Sequence, residues 1–358
     1  MPPLQPALLK FWLRIELDTL RGVFRCPVRG DEDEAVVPNP RCLTRCSLAE
    51  VQADNGQWVV GTKSDGTRAV LVRCVFMRWP VLVSVDRSFA MSVHWTGPRT
   101  DAPSTLITVV DSERISDRFH AFDVFLLSRT NAVHTRPHAV RMDLLGAAVD
   151  ECLHGTDAAL TVTVKQFAPL STESIRAALE RDGDGLILVD TTRPVTFGSD
   201  PGILKWKAPH LSTVDLAVDR RRCGAHYSKL ARVRTSDGKP TVIADVPLSD
   251  VPGPLPAIWE FAFDGARWRP VRRRDDKKRA NSLYVVVQTM NNVVDVIDPS
   301  ELLSDHQPSE QRPPPHSSVR RGDGGDGGDG LCLGEALPPL FTEHPVHLVD
   351  EAGRAGVA

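Results

Sequence analysis

"TKSDGTRAVLV", residues 62–72, is the stretch on which the reading of this chain turns. Lys63 stands two residues before the Asp65-Gly66 pair and five before Arg68, and an apolar run follows at once. Apolar and β-branched residues on both sides of an Asp-Gly pair predict two strands joined at a turn. Two readings of Lys63 are open: a surface lysine beside a turn, or a nucleophile held at a strand end. Lysine attacks only as the neutral amine, which calls for desolvation or neighbouring cations. A turn at a strand end can leave such an amine facing a cleft while the next strand anchors it. By itself the pattern K-x-D-G-x-R does not decide between the two.

The surroundings supply more. Residues 57–127 predict short strands: "QWVVGTK", "RAVLVRCVFM", "VLVSVD", "MSVHW", "TLITVVD" and "HAFDVFLL", each bounded by Gly, Pro or charge. Val140 to Leu153 has helical spacing, "LTVTVKQF" (160–167) predicts a strand, and Ser171 predicts a cap for a helix reaching about Arg181. Two strands follow, "GLILV" and "ILKWK", and Pro209 marks a boundary. Residues 212–304 predict a small barrel with a helix from Ser282 to about Ile297, built on "HYSKLARVR", "TVIADV", "AIWEFAF" and "RWRPVRR". From Pro308 the chain is rich in Pro, Gly and Asp and predicts a flexible tail, its Gly-Gly-Asp repeats offering at most a loose calcium site.

The 358 residues suit two domains plus tails, and the 41% hydrophobic and 25% charged content is that of a globular chain. No stretch approaches the roughly 18 apolar residues that a membrane helix needs. Lys10, Arg14, Glu16 and Asp18 interrupt the N-terminus, which predicts an amphipathic helix and not a signal peptide. The seven cysteines are scattered, and Cys42 and Cys46 lack C-x-x-C spacing, so we expect reduced thiols, an intracellular protein and no structural metal. The net charge of −3 is uneven. Leu216 to Ala280 holds 15 Lys or Arg against 8 Asp or Glu, a net +7, which leaves −10 for the remainder. A basic module on an acidic body predicts either a polyanionic partner or simply a solvated basic face.

Several further groups carry chemistry. "LITVVDSERI" ends a strand in Asp111 and Glu113, which alternate onto one face. Asp184 opens the strand "GLILV", Lys205 and Lys207 share a face of "LKWK", and Arg272, Arg274, Asp276 and Lys277 lie in "RPVRRRDDKKRAN". Together these supply a nucleophile, carboxylates for a divalent metal and cations for a triphosphate, which are the parts of phosphoryl transfer.

In their order, "KSDGTR" (63–68), "VDSER" (110–114), "FDVF" (122–125), "DGLILV" (184–189), "LKWK" (204–207) and "RRRDDKKRAN" (272–281) resemble the motifs of the covalent nucleotidyltransferases. That superfamily comprises mRNA capping enzymes and the ATP- and NAD-dependent nucleic acid ligases. The resemblance spans Pro38 to about Pro299. "LKWK", the R-x-R-x-D-K pattern followed by Asn281, "VSVDRS" with Arg87, and "PNPRCLTRCSL" are similar to the capping branch, whereas Gly61 stands where ATP-dependent ligases typically carry Glu. In "VDSER" Ser112 replaces the usual Gly, and since Ser adopts positive φ less cheaply the backbone there is expected to differ.

The resemblance implies an α+β fold: an N-terminal helix and acidic linker (1–37), an ATP-grasp-like nucleotidyltransferase domain of antiparallel sheets (38–211), an OB-fold lid with a C-terminal helix (212–304) and a disordered tail (305–358). It implies an mRNA guanylyltransferase with Lys63 as nucleophile for GTP and 5′-diphosphate RNA as acceptor. Arg68 would bond the ribose, with Glu113 near the sugar or the metal. Phe122 and Ile187 would sandwich guanine, and Arg87 would steady the triphosphate. Asp184, with Glu113, would hold Mg2+ or Mn2+. Lys205 and Lys207 would neutralise the α-phosphate, and Asp276 and Lys277, assisted by Arg272 and Arg274, would orient pyrophosphate. With no H-C-x5-R signature present, RNA triphosphatase and cap methyltransferase are expected from separate proteins, in the nucleus if cellular, or in the cytoplasm or virion if viral. An ATP-dependent polynucleotide ligase and a catalytically inactive RNA-binding homologue are the alternatives.

Overall fold

The continuous apolar run after Arg68 is a strand buried on both faces. Strand β3 (Thr67–Phe76) lies inside a six-stranded sheet with β4 (Trp79–Asp86), β5 (Met91–Trp95), β6 (Thr105–Ile115), β7 (Arg118–Leu126) and β8 (Thr161–Val164), in the order β5-β4-β3-β6-β7-β8. Val70, Val72, Cys74 and Phe76 pack with Leu9, Leu13 and Leu17 of helix α1 (Pro6–Leu20). Ala69 and Leu71 turn the other way, into the cluster of Leu145, Ala148 and Val149 from helix α3 (His138–Leu153). Two covered faces remove the usual apolar–polar alternation. The computed structural model describes residues 6–20, 37–86, 89–129, 131–156, 160–223, 226–235, 240–264, 267–294 and 296–303.

A second sheet keeps its alternation. Its order is β1-β11-β10-β2-β9, from β1 (Pro38–Cys42), β2 (Trp58–Lys63), β9 (Ala168–Pro169), β10 (Gly185–Asp190) and β11 (Gly198–Lys207). Trp58, Val60, Leu186, Leu188 and Leu204 face a core shared with Leu48 and Val51 of α2 (Arg45–Ala53) and Ile175 and Ala178 of α4 (Thr172–Leu179). Gly61, Lys63, Ile187, Lys205 and Lys207 therefore share the opposite face. Ser171 caps α4, accepting a hydrogen bond from the Ser174 amide as expected.

The basic segment forms a third sheet, β14-β13-β12-β15-β16, fully antiparallel, from β12 (Thr213–Cys223), β13 (His226–Arg234), β14 (Val242–Pro247), β15 (Ala257–Phe263) and β16 (Trp268–Arg273), with helix α5 (Leu283–Val294). Val286 and Met290 of α5 join Leu216, Val218 and Phe261 in its core. Beyond α5 the chain returns to the second sheet. Ile297 and Leu302 enter that sheet's core, Trp206 Nε1 donates to Ile297 O at 2.8 Å, and Gln52 Nε2 donates to Glu301 O at 2.6 Å. Leu302 is fully buried, so Leu302→Ala should cost about 2–5 kcal/mol of unfolding free energy, measured by denaturant titration.

The α+β class stands, with three corrections. β1 pairs with β11, and β8 with β7, in parallel. The strand expected over 160–167 stops at Val164, and residues 165–167 form a loop. Ser112 lies inside β6, where its hydroxyl donates to Ala69 O at 2.5 Å, and its φ is not among the positive values. The backbone departure expected of Ser112 does not occur, because strand pairing holds it extended. Strands β1 and β12 and helix α2 are additions to the elements that the sequence predicts. The tail and the acidic linker lie outside the described residues.

Candidate active site

The end of β2 places Lys63 in a three-strand row. Gly185 is the direct partner of Lys63 on one side and of Lys207 on the other, and Ile187 is likewise flanked by Gly61 and Lys205. The four predicted residues Lys63, Ile187, Lys205 and Lys207 thus share one sheet face. Asp184 precedes β10 and is fastened there, its amide donating to Lys63 O at 2.9 Å. Its carboxylate takes Lys63 Nζ on Oδ1 at 2.6 Å and Lys207 Nζ on Oδ2. Half-burial alone would raise this carboxyl, but the Lys207 and Lys63 hydrogen bonds outweigh it and hold Asp184 below the usual carboxylate range. The glycines beside Asp184 are needed for close approach. A Cβ at Gly183 would stand 2.5 Å from Lys63 O, and one at Gly185 2.0 Å from Trp206 O.

Across from this row, the six-stranded sheet contributes Arg68, Glu113 and Phe122. Arg68 and Glu113 are direct partners on β3 and β6. Phe122 is the extra residue of a bulge in β7, since Asp111 pairs with Asp123 but the next residue, Ser112, pairs with Ala121. A bulge re-aims a side chain, and here the ring sits 5.2 Å from Arg68 Cζ. Arg68 also donates through Nε to Asp111 Oδ1 at 3.0 Å, through Nη2 to Asp111 Oδ2, and through Nη1 to Pro38 O on β1. Burial pushes the Glu113 carboxyl upward against the pull of Lys165, Lys63 and Arg68.

Lys165 escaped the sequence reading. It lies in the loop after β8, its Nζ 3.3 Å from Ser64 Oγ, 5.8 Å from the Phe122 ring centre and 6.0 Å from that of Phe167. Burial pushes the amine down to about 8; Glu113 opposes this, while Lys63 and Arg68 add to it. Phe167 fills the notch left by Gly61, where a Cβ would stand 2.9 Å from the ring. The one signal in sequence was a lone lysine in a Thr/Val run ending in an aromatic residue.

The last motif forms a second cluster, on the basic module. Arg274 grips Asp276 with Nε at 2.9 Å and Nη2 at 2.8 Å, and Asp215 with Nη1 at 2.8 Å. Arg272 pairs with Glu260 at 2.5 Å, and Lys277 lies 3.9 Å from Asp215. The Arg274 hydrogen bond holds the exposed Asp276 carboxyl down at about 2. Arg272, Arg274 and Lys277 thus pair with carboxylates of their own module, Asp276 among them, and the four predicted residues are gathered there. Arg87 lies outside the described residues.

Among the described residues no group of three or more His, Cys, Asp or Glu could cage a metal. A single carboxylate such as Asp184 still fits a hard divalent cation that takes its other ligands from phosphates and water; Glu113, on the facing sheet, shares the field of Lys63 with it. No helix among the described residues is long and apolar enough to cross a membrane.

No protein-family model matches the chain. It is similar to mRNA-capping enzyme subunit alpha of Neurospora crassa, with 31% identity over 36% of this chain and 40% of the relative. It is also similar to mRNA-capping enzyme subunit alpha of Schizosaccharomyces pombe, with 25% identity over 36% of each. The match therefore spans well under half the length of either relative. The names of these relatives agree with the resemblance carried by the motifs. Among solved structures, a mycobacterial DNA ligase D complexed with ATP superposes with a TM-score of 0.39 at 15% identity, over 68% of this chain and 95% of that one. A Lig E DNA ligase gives 0.31 at 14%, over 66% and 100%. Scores this low do not establish a shared fold, and the architecture rests on the strand order given above.

Proposed function

We propose that the chain is a covalent nucleotidyltransferase. Within that class we assign it as an mRNA guanylyltransferase, which moves GMP from GTP through a lysyl-GMP intermediate to 5′-diphosphate RNA. The observation that carries the reading is the row Lys63–Asp184–Lys207, an amine at a strand end held beside a carboxylate and a second cation. Likeness to proteins named as capping-enzyme subunits favours GTP and RNA over the other substrates of the class.

In the first step Lys63 Nζ gives its proton to solvent and attacks the α-phosphorus. A P–N bond forms, the bond to the bridging oxygen breaks, and pyrophosphate leaves. Lys165 and Lys207 are the neighbouring cations that such an amine calls on. Lys205 and Lys207, on the same face, neutralise charge on the α-phosphate as it develops. Arg68 and Glu113 bind the ribose, Phe122 and Ile187 flank the base, and Arg87 steadies the triphosphate. Mg2+ or Mn2+ held by Asp184, with Glu113, would supply charge neutralisation on the phosphates. In the second step a terminal oxygen of diphosphate-ended RNA attacks the same phosphorus. The P–N bond breaks and Lys63 recovers a proton. The basic module acts as an OB-fold lid, and partner subunits supply triphosphatase and methyltransferase activities, in keeping with relatives named as a subunit.

The test is incubation with α-labelled GTP or ATP and a divalent metal, followed by denaturation. Label from GTP on Lys63 supports the assignment. Label from ATP alone makes the chain a ligase-type enzyme, and no label from either leaves a non-catalytic binder. The lid is tested separately. If Asp276 orients pyrophosphate, Asp276→Ala should slow lysyl-GMP formation about 10- to 100-fold while changing transfer from a pre-formed adduct less than about twofold. Single-turnover kinetics of each half-reaction measures both, and equal slowing would indicate a destabilised module instead.

A further inference from the structure

Two motif carboxylates take no part in the reaction above. Asp111 and Asp123 are direct partners across β6 and β7, 0% and 4% exposed. Like charges directly opposite in a sheet are destabilising, and an uncompensated buried charge costs several kcal/mol. The arrangement persists because each carboxylate has its own arginine. Arg68 bonds both oxygens of Asp111. Arg141, from α3, gives Nε to Asp123 Oδ1 at 2.7 Å and Nη2 to Oδ2 at 2.8 Å. It spends Nη1 on the carbonyls of Arg136 at 2.7 Å and Arg193 at 3.0 Å. From Arg68 beside the Phe122 ring the charges run plus, minus, minus, plus through Asp111 and Asp123 to Arg141.

We propose that Asp123 and Arg141 are positioning residues that fix Asp111 from behind and so hold Arg68 against Phe122. Neutralising Asp123 leaves Arg141 as a buried cation without its bidentate carboxylate, and two buried carboxylates compete to replace it: Asp111, the cross-strand partner of Asp123, and Asp200, which already feels the Arg141 charge. On this proposal Asp111 is the one drawn in, so that it is shared between two guanidinium groups and Arg68 loses its bidentate grip. Asp123 also adjoins the bulged Phe122, so its anchorage bears on the ring as well. The catalytic consequence rests on the guanylyltransferase reading; the geometric one does not.

The geometric arm follows arginine Nε–H signals of the full chain by NMR, assigned with Arg68→Lys and Arg141→Lys. In Asp123→Asn the Arg68 signal should move and exchange faster with water, although Asp123 does not bond Arg68. An unmoved Arg68 signal overturns the proposal. The double variant Asp123→Asn/Arg141→Gln removes the pair with charge balance kept and should return the Arg68 signal to its wild-type position. If Asp123→Asn does not fold, the double variant decides: a wild-type Arg68 signal supports the proposal and a displaced one overturns it. In the catalytic arm, Asp123→Asn should raise KM for GTP about tenfold with little change in the maximal rate of adduct formation, and should add nothing in an Arg68→Ala background. A fall in maximal rate with KM unchanged, or full additivity with Arg68→Ala, counts against it. A wild-type chain that takes no label sinks the guanylyltransferase reading, and the NMR arm still decides this one.

Discussion

Lys63→Arg should form no covalent adduct with GTP at any metal concentration, measured as label retained on the denatured chain. Arginine stays protonated and cannot attack. The fold should survive, because Lys63 is the last residue of β2 and its pairing with Gly185 is made through the backbone. Lys165 and Lys207, the other amines near Asp184, do not replace it. Lys207 is tied to the far oxygen of Asp184, and Lys165 belongs to the opposite wall with Phe122. Adduct of normal yield in Lys63→Arg would transfer the nucleophile to one of these two lysines and overturn the assignment.

Asp184→Asn should reduce adduct formation about 100- to 1,000-fold, the loss typical of removing one preorganised electrostatic group. The amide keeps the shape of the side chain but no longer offsets the charge of Lys63 and Lys207, both of which it bonds. It is also a weaker ligand for a hard cation. Raising Mg2+ or Mn2+ should recover part of the loss, and the metal concentration for half-maximal rate should rise. An unchanged metal dependence would remove Asp184 from the proposed ligands and leave it only the task of aligning the two lysines.

The contrast between what was legible and what was not follows from how each residue reaches the site. Lys63, Asp184, Lys205 and Lys207 sit at or beside strand ends, so two-residue spacing was enough to place the lysines of "LKWK" on one face. Lys165 sits in a loop, and only the packing of that loop against Phe122 and Ser64 brings it in. The pairing of Asp111 with Asp123 depends on a bulge, and a bulge shifts register without an evident sequence mark. Strand β1 was hidden by its two prolines, Pro38 and Pro40, which sequence rules assign to edges and loops; an edge, parallel to β11, is where it lies. Strand β12 was hidden by the charges of "TVDLAVDRRRC", although Val214, Leu216 and Val218 alternate into the core.

The return of the chain after α5 limits how the basic module can move. A module tethered only through residues 208–212 could swing about one point in any direction. This one is also pinned where it ends, as Ile297 and Leu302 are buried with Leu204 and Trp206 and Trp206 hydrogen-bonds Ile297. Two fixed points define a line, and rotation about that line is the single large motion left while both hold. Substrate access would then depend on an angle rather than on diffusion of a loose domain, and loosening Leu302 would add directions of travel as well as reduce stability.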